Sequence, residues 1–311
     1  MKILITGATG FIGRNAALRL LREGHIISVL VRNASKASFL KSAGAQLICK
    51  DITDKNLSDN IGMRDFDVII HCAGLVQNCN YNKLYSVNVK GSENICRLAL
   101  ELGVKKLIYT SSVSVISGND KPSLTDDLPY KASNLYGKSK MEAEKIVVGY
   151  RQKGLRIAIL RPSMVYGENE PHLTNLLLTL MKYRLMPMPG NGAAKWHLVY
   201  IKNLVEVYSA AVKNDAYLDG TFLVADEEVL TVKEIFKIFS ENIGGKMPYS
   251  LPDPITGFLR YVPYFGDKIR FFLKDRVYDT SRLRAAGCKM PHKAQDALKL
   301  TAKHWIKKRR N

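Results

Sequence analysis

Short apolar runs alternate with amphipathic stretches over the first 165 residues of the chain. Mostly apolar runs predict strands, and apolar positions three and four residues apart predict helices. Strands are predicted at 2–6, 26–31, 45–49, 66–71, 104–110 and 155–160, and helices at 11–23, 35–42, 81–102 and 133–153. This alternation predicts parallel strands joined by right-handed crossovers, which is a doubly wound Rossmann sheet of the α/β class.

The alternation weakens after residue 166, where prolines and glycines cluster at 187–192 and 244–266. A strand is predicted at 221–224 and a helix near 231–243. We therefore expect two units. The sheet domain comprises 1–165 with 194–225, and a smaller α/β C-terminal lobe comprises 166–193 with 226–311.

Three glycines follow the first predicted strand. Gly7, Gly10 and Gly13 are spaced G-x-x-G-x-x-G, and an amphipathic helix begins at Phe11 and Ile12. Glycines let the backbone approach phosphates closely, and the N–H groups of the first helical turn point toward them. This strand, turn and helix predict a site for the pyrophosphate of a dinucleotide.

The second predicted strand ends at Arg32, with Lys36 four residues further on. An acidic residue here would accept hydrogen bonds from the ribose 2′-OH of NAD, whereas an arginine pairs with the 2′-phosphate of NADP. We expect NADP, with NAD as the alternative. After the fourth strand, the small residues Ala73 and Gly74 allow the chain to pass close to the cofactor.

A tyrosine and a lysine lie at helical spacing in Tyr136-Gly137-Lys138-Ser139-Lys140. Residues four apart share one helix face, and a nearby ammonium lowers the pKa of a tyrosine. Tyr136 is therefore a candidate general acid/base, with Lys140 beside it. The fifth strand ends before Ser112, whose hydroxyl would meet the same substrate oxygen.

Together these motifs resemble the Ser/Thr–Tyr–Lys site of the extended short-chain dehydrogenases/reductases. The resemblance implies that Ser112 orients the substrate oxygen, Tyr136 exchanges a proton with it, and Lys140 holds the nicotinamide ribose. It also implies further cofactor contacts. These are Asp51 and Ile52 beside adenine, Asn88 supporting the active site, and Pro162 and Val165 in the strand and loop beneath nicotinamide.

Departures from the family pattern make some reactions of the family less favoured for this chain. Sugar-nucleotide dehydratases of this family carry Asp-Glu after the catalytic hydroxyl, but Val113 and Ser114 stand here, which disfavours dehydration. Epimerases often carry an arginine where Lys195 stands, so pyrophosphate binding is weakened. Val113, Lys195, His197 and Arg276 are weaker candidates for substrate contact. The Val31-Arg32 pair and the loop Leu160-Arg161-Pro162-Ser163 resemble those of dihydroflavonol reductase and 3β-hydroxysteroid dehydrogenase.

Composition adds few constraints. The net charge of +19 favours anionic ligands, but the sequence has no nucleic-acid-binding motif, so we expect no such partner. We expect no metal, because no His, Cys and Asp cluster has metal-site spacing. Five cysteines are scattered, and the first strand begins at residue 2, so we expect a cytoplasmic protein without a signal peptide.

The segment 257–274 is apolar, aromatic and basic. It suits contact with an anionic membrane or a lipid-like substrate, but packing within the small lobe is the favoured interpretation. The family resemblance implies a homodimer through the helices around 81–102 and 133–153.

The leading hypothesis is an NADP-dependent oxidoreductase of the extended short-chain type. It would transfer hydride to or from a secondary alcohol or ketone, either a keto-sugar or a hydrophobic cyclic alcohol. Two alternatives stay open: a sugar-nucleotide epimerase that retains NAD(P), and a catalytically silent NAD(P)-sensing protein.

Overall fold

The computed structural model describes residues 1–58, 61, 65–76, 80–171, 173–259, 261–262 and 265–310. Cys79, His172 and part of the segment 257–274 lie outside these residues. The strands are β1 Lys2–Thr6, β2 Ile26–Val31, β3 Gln46–Cys49, β4 Val68–His71, β5 Lys106–Thr110, β6 Arg156–Pro162, β7 Val165–Tyr166, β8 Met188–Pro189, β9 Lys195–Trp196, β10 Val199–Tyr200, β11 Thr221–Val224, β12 Leu230–Thr231 and β13 Ser250–Leu251.

The α-helices are α1 Phe11–Arg22, α2 Ser38–Ser42, α3 Tyr81–Leu84, α4 Gly91–Glu101, α5 Leu135–Gly149, α6 Leu173–Lys182, α7 Ile201–Lys213, α8 Val232–Ile243, α9 Asp253–Leu259, α10 Phe265–Leu273, α11 Ser281–Ala285 and α12 Ala294–Arg310. A π-helical turn, Tyr85–Lys90, joins α3 to α4. The region predicted as one helix, 81–102, therefore contains a wider turn in its middle.

Seven parallel strands form the central sheet in the order β11-β6-β5-β4-β1-β2-β3. The chain crosses over between β3 and β4, so the strand order reverses beside β1. Ligands of such sheets bind outside the carboxyl ends of the strands at this point. The predicted doubly wound Rossmann fold is confirmed, and β11 extends the sheet with a segment from late in the chain.

The side chains of each strand alternate between two apolar layers. Ile3 and Ile5 of β1 join a cluster that continues through α7 to α8 and α12, whereas Leu4 joins the cluster beneath α4 and α5. The first layer thus packs the C-terminal elements directly against the sheet. No helix among the described residues is long and apolar enough to cross a membrane.

The segment Leu198–Ile201 resembles a strand in sequence, but only Val199–Tyr200 is a strand, and Ile201 begins α7. This helix packs on α1, where Arg19 Nε and Nη2 donate to the Glu206 carboxylate at 2.9 and 3.0 Å. The division into two units, the homodimer and the cytoplasmic location stay predictions.

Candidate active site

The glycine-rich turn between β1 and α1 is packed tightly against the end of β4. Gly7 has a φ of +71°, and a Cβ there would lie 2.5 Å from the backbone nitrogen of Ala73. A Cβ on Gly13 would lie 2.4 Å from the Gly7 carbonyl oxygen. Only glycine fits these two positions without rearrangement.

Helix α1 begins after Gly10, and no side chain caps it or places an acidic group in its first turn. The first-turn N–H groups of a helix have no partner within the helix and attract anions. The turn is therefore a cradle of backbone N–H groups without a capping side chain, and it fits the pyrophosphate of a dinucleotide. Phe11 and Ile12 form the first turn of this helix.

The ends of β2 and β3 bring the predicted adenosine contacts together. The Arg32 side chain is 76% exposed, and its Nε lies 4.0 Å from Oδ2 of Asp51. The other Asp51 oxygen accepts from the backbone N–H and hydroxyl of Thr53, both at 2.9 Å. Ile52 is buried, and Lys36 is exposed on the turn that follows β2.

A side chain from the π-helical turn holds the loop after β4, which contains Ala73 and Gly74. Asn88 accepts from the Leu75 N–H at 2.7 Å and donates to the Leu75 carbonyl at 3.0 Å. Its Nδ2 also donates to the Ser139 hydroxyl at 2.9 Å, and Ser139 donates to the Tyr136 carbonyl at 2.8 Å. Asn88 thus connects the cofactor loop to the helix that carries Tyr136.

Ser112 and Tyr136 meet at the carboxyl edge of the sheet. Ser112 caps the short 3₁₀ turn that follows β5, and Asn134 caps α5 by accepting from the Gly137 N–H at 2.7 Å. Burial raises the pKa of Tyr136, and a hydrogen bond from Ser112 partly offsets this rise. Tyr136 is therefore a protonated phenol at neutral pH.

Lys140 lies one turn further along α5 and is buried. Its ammonium donates to the Thr110 carbonyl at 2.7 Å and lies 4.5 Å from the centre of the Tyr109 ring. Burial lowers the pKa of Lys140 to about 8, although Glu144 acts in the opposite direction. The expected lowering of the Tyr136 pKa by Lys140 is not found in this conformation, because burial dominates and the group that lowers this pKa is Ser112.

Sequence reasoning missed a buried ion pair behind these residues. Arg161 Nη2 lies 2.6 Å from Oε1 of Glu144, and Ser111 and Tyr130 both donate to the same carboxylate. Glu144 is four residues after Lys140 on the stripe that already carries Tyr136, so helical spacing could have identified it. Its partner Arg161 precedes Pro162 in β6.

The predicted substrate contacts differ in whether their side chains have polar groups available to a ligand. Lys195 and Arg276 are adjacent, because the Arg276 N–H donates to the Lys195 carbonyl at 2.8 Å. The Arg276 guanidinium lies 4.2 Å from the centre of the Phe271 ring, and its buried Nε has no hydrogen-bond partner. The contact between Lys195 and Arg276 joins their backbones, and the Arg276 side chain also hydrogen-bonds Tyr278.

His197 has a structural role in this conformation. Its Nε2 contacts the Asp226 carbonyl, and its Nδ1 accepts from the Tyr278 N–H at 3.2 Å. The residue is 4% exposed, and burial lowers its pKa, so it offers no free nitrogen to a ligand. Val113 is also buried, within a small apolar cluster.

Comparison with known proteins identifies the family. The model of the NAD dependent epimerase/dehydratase family matches residues 3–225. The chain belongs to this family. Its predicted resemblance to the extended short-chain dehydrogenases/reductases is confirmed, and it is an enzyme of this type.

Similar proteins have different activities. The chain is 27% identical to UDP-glucose 4-epimerase from Vibrio cholerae, over 98% of this chain and 95% of that protein. It is 28% identical to 3 beta-hydroxysteroid dehydrogenase/Delta 5-->4-isomerase from Mycobacterium tuberculosis, over 79% and 70%. UDP-glucuronic acid 4-epimerase from Bacillus cereus, solved with NAD, has the same fold, with a TM-score of 0.81 at 21% identity over both full chains.

Proposed function

We propose that the enzyme reduces a ketone, or oxidises the corresponding secondary alcohol, by hydride exchange with NADP. The observation that carries this proposal is the meeting of Ser112 and Tyr136 at the carboxyl edge of the sheet, with buried Lys140 one helical turn away. The bound nicotinamide would supply or accept the hydride. The protein groups position the substrate and move its proton.

The protonation state of Tyr136 favours the reducing direction. A carbonyl that receives hydride gains negative charge on its oxygen, which then needs a proton. Tyr136 carries that proton at neutral pH, as an ordinary phenol does, and the upward shift of its pKa keeps it protonated. The Ser112 hydroxyl would donate a hydrogen bond to the same oxygen, and the Lys140 ammonium would hold the ribose hydroxyls.

We assign NADP as the cofactor on the charge at the end of β2. Arg32 is an exposed cation with only a long contact to Asp51, so a 2′-phosphate could recruit it as a bidentate partner. Exposed Lys36 adds a second positive charge on the following turn. NAD is the alternative cofactor.

The proposed substrate class is supported by the groups that flank Ser112 and by the similar proteins. Val113 and Ser114 provide no acid and base for removal of water, so a dehydratase reaction is disfavoured. The hydroxysteroid dehydrogenase similar to this chain supports a hydrophobic cyclic alcohol. A keto-sugar is the other candidate of the same reaction type.

A sugar-nucleotide epimerase is the second candidate function. Lys195 and Arg276 are neighbours in the backbone, and the Arg276 Nε has no hydrogen-bond partner, so these two cations are the candidate contacts for a diphosphate. An epimerase is also among the similar proteins that span nearly the whole chain. Such an enzyme oxidises and re-reduces one carbon, with no net change in its cofactor.

The decisive experiment measures both outcomes on one preparation. NADPH consumption with a panel of cyclic ketones, keto-steroids and keto-sugars supports the reductase. Interconversion of UDP-sugars by the enzyme, with a tightly retained cofactor that undergoes no net oxidation or reduction, supports the epimerase instead. If neither occurs although NADPH raises the unfolding temperature, the sensing alternative gains support and the proposed reaction is wrong.

Substitutions at the site test the proposed role of Tyr136. We expect Tyr136→Phe to lower kcat about 10²- to 10⁴-fold while cofactor protection against unfolding is retained. Tyr150→Phe removes a hydroxyl just beyond the end of the same helix and should leave kcat unchanged. Equal activity of the two variants would contradict the role of Tyr136.

A further inference from the structure

Large apolar side chains project into solvent from two segments near the C-terminal part of the fold. Tyr183 and Leu185, which follow α6, are 64% and 68% exposed. Phe258 at the end of α9 is 72% exposed, and Tyr261 is 88% exposed. With the exposed Met247, Tyr249 and Ile255, these residues form what we term the apolar surface.

Backbone pairing holds the two segments side by side. Strand β8, shortly after Leu185, pairs with β13, and the Met188 N–H donates to the Tyr249 carbonyl at 2.9 Å. Helix α9 follows β13 directly, and the Tyr261 N–H donates to the Phe258 carbonyl at 3.1 Å. The apolar surface is therefore built from neighbouring elements of one region.

The two segments themselves carry mostly positive charges, with Glu241 and Asp267 flanking the second one. Residues 171–205 contain no Asp or Glu, and residues 242–262 contain only Asp253. Arg184 and Lys246 are exposed in the same two segments. On a chain with a net charge of +19, such a surface attracts an anionic partner and repels a second copy of itself.

We propose that the apolar surface docks on an anionic lipid bilayer. Tyrosine combines an apolar ring with a polar tip and is enriched where a membrane meets water. Exposed apolar side chains interspersed with Lys and Arg bind such interfaces by shallow insertion together with attraction to anionic headgroups. Phe258 and Leu185 supply the inserting groups, and Arg184 and Lys246 supply the charge.

The proposal applies to only one part of the segment 257–274, all of which the sequence analysis assigned to internal packing. Phe271 and Phe272 do pack, since both contact the Trp196 ring, with centroids 5.3 and 5.0 Å away. Phe258 and Tyr261 do not, because most of each side chain is exposed. Helix α10 packs against α9 and β8 and ends shortly before Arg276. The docked surface would thus lie next to the element that leads to Arg276.

Vesicle co-sedimentation of the full chain tests the proposal. The probes are vesicles of phosphatidylcholine alone and of phosphatidylcholine with an equal part of phosphatidylglycerol, at low and at physiological salt. We expect binding to the anionic vesicles only, weakened by salt. Leu185→Ser/Phe258→Ser and Arg184→Glu/Lys246→Glu should each lower the partition coefficient about 10-fold or more.

Two matched double variants serve as controls. Ile26→Ser/Leu300→Ser removes two other exposed apolar side chains, and Lys41→Glu/Lys105→Glu makes the same change in net charge elsewhere. Both should bind within about twofold of the parent chain. Circular dichroism and NADPH-dependent thermal stabilisation, which should be equal in all four variants, report on folding and on the separate cofactor site.

Three results would overturn the proposal. The first is absence of binding to anionic vesicles at low salt. The second is an equal loss of binding in the control variants, which would indicate general charge attraction. The third is a difference between the surface variants and the parent chain in sedimentation without vesicles. The apolar surface would then be a protein–protein contact.

Discussion

Glu144 and Arg161 form a buried ion pair, 2.6 Å between Oε1 and Nη2, and Glu144 lies on the helix face that carries Tyr136 and Lys140. Glu144 is fully buried, and Arg161 is 4% exposed. Arg161 also donates to the Asp126 carbonyl at 2.9 Å. The pair therefore fixes α5 against β6 and against the loop before α5, which sets the position of the proposed catalytic groups.

Removal of the Glu144 charge should destabilise the protein strongly. Glu144→Gln leaves the buried guanidinium of Arg161 without a compensating charge, at a cost of about 3–5 kcal/mol of unfolding free energy. Chemical denaturation measures this change. The control is Glu101→Gln, which removes an exposed partner of Arg97 at 3.8 Å and should cost about 0.5 kcal/mol or less. A similar loss in both variants would contradict the structural role of the buried pair.

The sequence was sufficient to predict the sheet, because each buried strand is a short apolar run bounded by turn residues. The predicted bounds of β1, β2 and β11 agree with the structure. The helical turn 85–90 was not predicted as π-helical, since a single widened turn leaves the apolar periodicity of its flanks nearly unchanged.

The proposed site was partly predictable for the same local reason. Glycine spacing and the i, i+4 pair of Tyr136 and Lys140 are visible in short windows of sequence. The Glu144–Arg161 pair joins a helix to a strand, and the engagement of His197 by Asp226 and Tyr278 joins three distant segments. Contacts of this kind depend on the tertiary fold and have no local pattern.

The tight turn after β1 provides a second prediction. Gly7→Ala places a methyl group 2.5 Å from the Ala73 nitrogen at a positive φ, so we expect a loss of about 2–4 kcal/mol in unfolding free energy. NADPH should also lose its stabilising effect in thermal unfolding. Gly149→Ala, at a helical position with no atom near the added carbon, should be neutral or stabilising by up to about 1 kcal/mol. Normal NADPH binding by Gly7→Ala would show that the cradle lies elsewhere.

The residue at the end of β2 provides a third prediction, on cofactor choice. Arg32→Asp replaces a partner for the 2′-phosphate with an acceptor for the ribose 2′-OH. We expect the ratio of NADPH to NADH affinity, measured by calorimetry, to fall at least about 10-fold. Arg22→Asp, at the far end of α1, serves as the charge-matched control. Preference of the parent chain for NADH would reject the assignment of NADP.

The lowered pKa of Lys140 provides a fourth prediction, on pH dependence. Because this pKa is about 8 in the folded protein and 10.5 when unperturbed, the unfolded chain binds more protons between those values. The contribution of Lys140 to stability should therefore rise with pH across this window. NADPH affinity should fall as pH rises through about 8, since the ammonium that would hold the ribose is lost.

Lys140→Met separates these effects from the titration of other groups. Unfolding free energy and NADPH affinity of the variant are measured from pH 7 to pH 10 in parallel with the parent chain. In Lys140→Met, the predicted rise of stability with pH and the predicted fall of NADPH affinity should both be absent. Lys138→Met, an exposed position two residues earlier on the same helix, should leave both profiles unchanged. If the Lys140→Met profile instead matches that of the parent chain, another group controls cofactor binding, and the ammonium does not hold the ribose.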